Sequence, residues 1–127
     1  MVDLKELNYA ESIHQAIKES MAEDKSVICF GLGVTDPKGI FGTTLGLVEE
    51  FGESRVFDIP TSENALTGIG IGAAIMGKKV IMVHQRLDFF LLAIDQLVNS
   101  AAKMYFMYGN QFESKHSWFR LVVHRCD

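Results

Sequence analysis

The sequence has few of the residues that mark a disulfide-bonded, metal-binding or nucleic-acid-binding protein. It holds two cysteines, two prolines and one tryptophan in 127 residues. Cys29 lies in the apolar run VICFGL, the ordinary place of a buried thiol, and the four histidines have no ligand spacing with the cysteines. We therefore expect neither a structural disulfide nor a metal site formed by this chain. The twelve Lys and Arg residues are scattered and the formal net charge is -4, which argues against a nucleic-acid partner.

Long apolar runs are also missing. No window reaches the roughly 18 apolar residues that a membrane span needs. The first residues, MVDLKELNYAES, carry Asp3, Lys5 and Glu6 where a signal peptide would be apolar. These features predict a cytoplasmic protein without membrane association.

The residues that are present indicate one folded domain. Hydrophobic residues make up 48% of the chain and charged residues 22%, which is a globular composition. No linker, repeat or low-complexity segment interrupts the pattern. We expect a single domain over residues 1–127, long enough to bury one core.

Four segments have the apolar spacing of helices. The first begins after the N-cap residue Asn8, in YAESIHQAIKESMAED, and the second lies in TTLGLVEEF, with Thr43 or Thr44 as its cap and Gly52 at its end. A third helix is predicted in SENALTGIGIGAAIM, and a long fourth one in DFFLLAIDQLVNSAAKMY.

Strands are predicted in SVICFGL, RVFDI, KVIMVH and WFRLVV, which are short apolar runs rich in β-branched residues. They alternate with the helices through short connections, as parallel strands joined by crossovers do. The expected fold class is α/β, a three-layer sandwich with a central, mainly parallel sheet and helices on both faces.

Polar residues follow two of these strands. Glu63 comes after RVFDI, and HQRLDF follows KVIMV. Because ligands of such sheets bind at the carboxyl ends of the strands, Glu63 is a candidate site residue. A plainer interpretation remains open, since an acid in a first helical turn adds only about 0.3 to 1 kcal/mol of stability. The glycines of GIGIGAA fall inside the predicted helix, so they do not form a dinucleotide-binding turn.

Several sequence blocks with fixed spacing carry a more specific resemblance. The blocks FG.T.GL...FG..RVFD.P.SE, G.G.GAA..G and DF...A.DQ.VN.AAK occur in order. With them, residues 8–111 resemble the N-terminal half of the beta subunit of thiamine diphosphate-dependent 2-oxo acid dehydrogenases. Those E1 components act on pyruvate, branched-chain 2-oxo acids or acetoin.

The resemblance implies a cofactor site in the pyrimidine-binding domain of a transketolase-like fold. Glu63 matches the glutamate that hydrogen-bonds N1′ of the aminopyrimidine ring and thereby promotes loss of the thiazolium C2 proton. Phe89 matches the aromatic residue that packs on that ring, and Gln85 falls at a second cofactor-lining position. The uncharged run from Asn64 to Gly77 keeps Lys and Arg away from the carboxyl along the chain.

The resemblance also implies a partner chain. Related enzymes bind the diphosphate and Mg²⁺ through a Gly-Asp-Gly motif, and no Gly-Asp pair occurs here. An alpha-type subunit would supply those groups, so we expect a hetero-oligomer or homo-oligomer, with the isolated chain inactive and a lipoyl-bearing E2 component as a further partner. The apolar regions 68–74 and 89–98 are the predicted contact surface.

Two departures from the family keep other functions open. The second domain of the family's beta subunits is absent from these residues, and Gly31, Leu32 and Gly33 stand where the dehydrogenases carry Gly-Glu-Asp. A related transketolase-like enzyme that transfers an acyl or aldehyde unit is one alternative. A non-catalytic, truncated interaction module is the other.

Overall fold

Four parallel strands form one sheet in the order β2-β1-β3-β4 in the computed structural model, which describes residues 6–109, 111 and 119–123. The strands are β1 (Val27–Gly31), β2 (Val56–Asp58), β3 (Lys79–His84) and β4 (Phe119–Val123). The predicted α/β fold with a parallel sheet is therefore confirmed. Trp118, predicted to begin the last strand, lies outside the described residues, as does Cys126.

Helix α1 (Tyr9–Glu23) begins where the sequence predicts. The side chain of Asn8 accepts from the Glu11 amide at 2.9 Å, and the Glu11 carboxylate accepts from the Asn8 amide at 2.9 Å. Both terminal amides are thus satisfied by a capping box. Ile17 and Met21, one turn apart, bury the inner face of the helix against the sheet.

Helix α2 (Leu47–Phe51) corrects one prediction. Its N-cap residue is Gly46, at a left-handed φ of 73°, and neither Thr43 nor Thr44 occupies the cap position. The chain makes a turn there, in which the Leu47 amide donates to the Thr44 carbonyl at 3.2 Å. As a result, Leu45 is half exposed and Leu47 takes the core position. The helix ends at Gly52, as predicted.

Helix α3 (Glu63–Ile75) covers the other face of the sheet, and a long helical segment packs against α3. The segment runs over residues 87–107 as α4 (Leu87–Phe90), a 3₁₀ turn (Leu91–Ala93), a π-helical stretch (Gln96–Ala101) and α5 (Ala102–Met107). The predicted single helix is therefore continuous in the chain but irregular in its hydrogen bonding. Wide π turns of this kind often occur beside functional sites.

Two apolar clusters lie on opposite faces of the sheet, so the predicted three layers are present. One cluster joins α1 and α2 to the sheet through Met21, Leu47 and Val83. The other joins α3 to the sheet through Leu66 and Met82. None of the described helices is long and apolar enough to cross a membrane.

Candidate functional site

The strand order places a crevice between β1 and β3. From β1 the chain first adds β2 on one side and then crosses over to β3 on the other. Ligands of open α/β sheets bind outside the carboxyl ends of the strands at such a reversal. A cleft of about 440 Å³ lies at this edge, and it is lined by Leu32, Gly33, Asp58, Ile59, Thr61, Glu63, Gln85, Phe89 and Leu92. All three predicted site residues are in this lining.

Glu63 is the first residue of α3 and only 9% exposed. Ser62 occupies the N-cap position but makes no capping hydrogen bond through its side chain. The backbone carbonyl of Glu63 accepts from the Thr67 hydroxyl at 2.8 Å, which fixes the first turn from inside. No described residue donates a hydrogen bond to the Glu63 carboxylate, so this group remains available to a ligand in the cleft.

Gln85 and Phe89 reach the cleft from the segment after β3. Phe89 is 38% exposed, and the Arg86 guanidinium lies 4.9 Å from the centre of its ring. Arg86 is itself held by Asp88 through contacts of 3.0 and 2.6 Å to the two carboxylate oxygens. The charged pair therefore covers one face of the Phe89 ring at the cleft.

Asp58 is a site residue that the sequence interpretation did not single out. Its carboxylate accepts from the Val34 amide at 2.6 Å and from the Thr35 hydroxyl at 2.6 Å. These bonds tie the loop after β1 to the end of β2. The sequence does show an acid at the carboxyl end of a strand, which could have marked Asp58 as a candidate. The hydrogen-bond partners of Asp58 could not be predicted, because they lie more than twenty residues away along the chain.

His84, the last residue of β3, is a second missed residue. It is fully buried, and neither ring nitrogen has a hydrogen-bond partner among the described residues. The ring packs edge-on against Phe90, with 5.3 Å between ring centres. Burial lowers the pKa of His84, and the Glu63 carboxylate raises it by a smaller amount. The ring is thus kept neutral within electrostatic range of Glu63.

The start of α3 is also tied to the π-helical stretch. The Gln96 side-chain nitrogen donates to the Asn64 side-chain oxygen at 3.0 Å. The Gln96 side-chain oxygen accepts from the Ser100 hydroxyl at 3.0 Å. A side chain at Gly68 would meet that Gln96 oxygen at 3.3 Å, so the small residue lets the two helices approach. The residue next to Glu63 is therefore held by the long helical segment.

Comparison with known proteins identifies the family of this chain. Residues 5–121 match the family described as the transketolase pyrimidine binding domain. The chain belongs to that family.

Named relatives share the sequence over most of this chain. The 2-oxoisovalerate dehydrogenase subunit beta of Bacillus subtilis (strain 168) is 40% identical over 120 residues, which are 94% of this chain and 35% of the relative. The pyruvate dehydrogenase E1 component subunit beta of Rhizobium meliloti (strain 1021) is 39% identical over 101 residues, 80% of this chain and 22% of the relative. The chain thus spans about a third or less of the length of these relatives.

The cleft fits one end of a thiamine cofactor of the kind that a pyrimidine-binding domain holds. Its volume lies within the usual range of ligand pockets, and it offers apolar walls, an aromatic ring and a carboxyl without a partner among the described residues. None of the nine lining residues is basic, and two are acidic, which disfavours a diphosphate here. Among the described residues, no group of three His, Cys, Asp or Glu side chains could hold a metal ion. The lining therefore suits a flat, nitrogen-containing ring better than the charged end of the cofactor.

Proposed function

We propose that this chain is the pyrimidine-binding part of the beta subunit of a thiamine diphosphate-dependent 2-oxo acid dehydrogenase. In this role it decarboxylates a 2-oxo acid together with an alpha-type chain. The observation that carries the proposal is the meeting of Glu63, Gln85 and Phe89 in one cleft at the reversal of strand order. The relatives named above support the same activity class, since their names are those of dehydrogenase beta subunits.

Glu63 has the central role in this proposal. It holds a proton at N1′ of the aminopyrimidine ring and exchanges it during turnover. When bound, thiamine diphosphate supplies the carbanion chemistry, and the protein contributes orientation and proton control. Burial of Glu63 at the start of α3 keeps water from competing for this hydrogen bond.

Phe89 and Gln85 orient the ring. Phe89 provides apolar contact to the aromatic face, with Arg86 holding it from one side. Gln85 offers an amide at the polar edge of the cleft. The loop held by Asp58 forms another wall through Leu32 and Gly33. These residues bind and position the cofactor without taking part in proton transfer.

The diphosphate and Mg²⁺ belong to the partner chain in this proposal, because the cleft lining has no basic residue and two acidic ones. The active site then lies between two chains. A contact surface is available beside the cleft, where Leu91, Leu92 and Val98 are exposed on the helical segment. Transfer of the acyl group to a lipoyl-bearing E2 component and location in the cytoplasm remain predictions from the sequence.

Replacement of Glu63 by Gln tests the proposal. The amide keeps the size of the side chain but cannot exchange a proton in the same way, so turnover should fall about 10² to 10⁴-fold at saturating cofactor. The assay is 2-oxo acid decarboxylation by the chain assembled with its alpha-type partner. Glu49→Gln is the matched control, because Glu49 is also an acid in a first helical turn but lies on exposed α2 surface. Near-normal decarboxylation by Glu63→Gln would contradict the proposal and would leave Glu63 as an acid that only stabilises the first turn of α3.

A further inference from the structure

His84 is a buried imidazole for which the fold alone gives no reason. It lies at the carboxyl end of β3, at the same edge of the sheet as the cleft. Alternation along the strand places it on the face of Val80 and Met82, which pack under α3. A buried polar side chain normally has a hydrogen-bond partner, yet both ring nitrogens of His84 lack one among the described residues.

Glu63 is the charged group that acts on this imidazole. Burial lowers the pKa of His84, the Glu63 carboxylate raises it by less, and that carboxylate has no hydrogen-bond donor among the described residues. Both side chains are buried at the carboxyl edge of the sheet on its α3 side, Glu63 at the start of α3 and His84 at the end of β3. A neutral imidazole carries one N–H, and a carboxyl has two oxygens, so the two groups are complementary.

We propose that His84 is a positioning residue whose neutral ring donates one N–H to the Glu63 carboxyl in the assembled enzyme. One carboxyl oxygen is then fixed from below by β3, and the other faces the ring bound in the cleft. The edge-on packing of Phe90 holds the imidazole plane in place. The inference rests on the proposed role of Glu63 and adds a residue to it.

Substitution of His84 by Leu and by Gln separates hydrogen bonding from packing. Leu has a similar volume without a donor, whereas Gln keeps an N–H donor. In the assembled enzyme at saturating thiamine diphosphate, His84→Leu should lower kcat about tenfold, the effect of one lost hydrogen bond, with little change in KM for the 2-oxo acid. His84→Gln should recover kcat to within about threefold of the unsubstituted enzyme, since the donor is restored.

A second comparison excludes a merely structural role. When the substitution Glu63→Gln is already present, the further change His84→Leu should cost little more, because the group that His84 positions has lost its function. Two results would overturn the proposal. One is equal kcat for the Leu and Gln variants of His84, and the other is the same fold loss from His84→Leu whether or not Glu63 has been replaced.

Nuclear magnetic resonance of the assembled protein with ¹⁵N-labelled histidine tests the contact even if His84→Leu does not fold. The expected result is a neutral His84 ring with one N–H, whose ¹⁵N shifts move when Glu63 is replaced by Gln. Unchanged shifts would contradict the proposal. Since this readout needs neither activity nor bound cofactor, failure of thiamine diphosphate to bind would count against the proposed function alone.

Discussion

The two faces of the sheet differ in how their polar and apolar groups are used. On the face covered by α1 and α2, the Arg55 guanidinium donates to the carbonyls of Met21, Asp24 and Val27 at 2.8 to 3.0 Å, and the one buried side-chain atom there without a partner among the described residues is the Thr44 hydroxyl. On the face covered by α3, Glu63 and His84 are buried without hydrogen bonds from their side chains among the described residues.

Exposed apolar side chains occur on both sides of the sheet, since Tyr9 on α1 and Leu45 before α2 are exposed as well. Beyond the sheet, Ile69 on α3 and Leu91, Val98 and Phe106 on the long helical segment are exposed. Apolar side chains exposed in number on neighbouring helices are expected where another molecule binds. The α3 face is therefore the one on which the cleft, a buried carboxyl and a buried imidazole occur together at one edge of the sheet. Both faces hold a buried apolar cluster, so the comparison teaches that the cleft and the unpaired buried groups occur on only one of two stabilising faces among the described residues.

The largest effect on stability is expected on the α1 and α2 face. Leu47 is fully buried in its cluster, so Leu47→Ala should lower the free energy of unfolding by about 2 to 5 kcal/mol. Leu45→Ala is the matched control: Leu45 is 50% exposed, and its removal should cost less than about 0.5 kcal/mol. Denaturant titration of both variants measures the difference. Equal losses would show that this face is not the stabilising core described here.

A smaller effect is expected from Asp58, which belongs to the site. Asp58→Ala leaves the Val34 amide and the Thr35 hydroxyl without their acceptor and should cost about 1 to 3 kcal/mol of stability. It should also weaken cofactor binding, because the loop that carries Gly33 is released.

Asp88→Ala provides the control for Asp58. Asp88 lies in the segment next to the cleft but forms an exposed ion pair with Arg86, which is worth less than about 1 kcal/mol. The measurements are unfolding curves of both variants, with cofactor titration of Asp58→Ala against the unsubstituted protein, because Asp88 acts on Phe89 through Arg86. If Asp58→Ala loses no more stability than Asp88→Ala and binds the cofactor like the unsubstituted protein, Asp58 does not hold the cleft.

The smallest expected effect is on the pH dependence of the free energy of unfolding. The folded protein resists protonation of His84, whose pKa is lowered by burial and partly restored by Glu63, whereas the unfolded chain takes up the proton near pH 6.5. The unfolded state therefore binds more protons in acid, and this residue makes the free energy of unfolding decrease as pH falls through that value. Both His84→Leu and His84→Gln should flatten the stability curve between about pH 7 and pH 5. A curve of unchanged slope would mean that His84 titrates normally in the fold.

Features set by neighbouring residues could be predicted from the sequence. The Asn8 cap depends on Glu11 three residues later, and the strands are continuous apolar runs, so local patterns were sufficient. Glu63 could be placed at the site because it follows a strand. Gln85 and Phe89 were predicted through the family resemblance, and the cleft brings both to Glu63.

Features that depend on distant contacts could not be predicted. The partners of Asp58, the packing of His84 against Phe90 under α3 and the bond between Gln96 and Asn64 all depend on the folded arrangement of the chain. The prediction of Thr43 or Thr44 as the N-cap residue of α2 was wrong for a related reason. A left-handed turn at Gly46 starts α2 later than the apolar spacing suggests, and spacing alone contains no information about that turn.

Calorimetric titration with thiamine diphosphate and Mg²⁺ tests the central claim most directly. The protein is this chain mixed with its alpha-type partner, in three forms: unsubstituted, Phe89→Ala, and Tyr9→Ala as an aromatic control on α1, which is 83% exposed. We predict saturable binding at one site per chain, weakened about tenfold or more by Phe89→Ala through lost ring packing and unchanged by Tyr9→Ala. Absence of binding by the unsubstituted assembly, or equal affinity in all three, would contradict the assignment of this cleft to the pyrimidine ring.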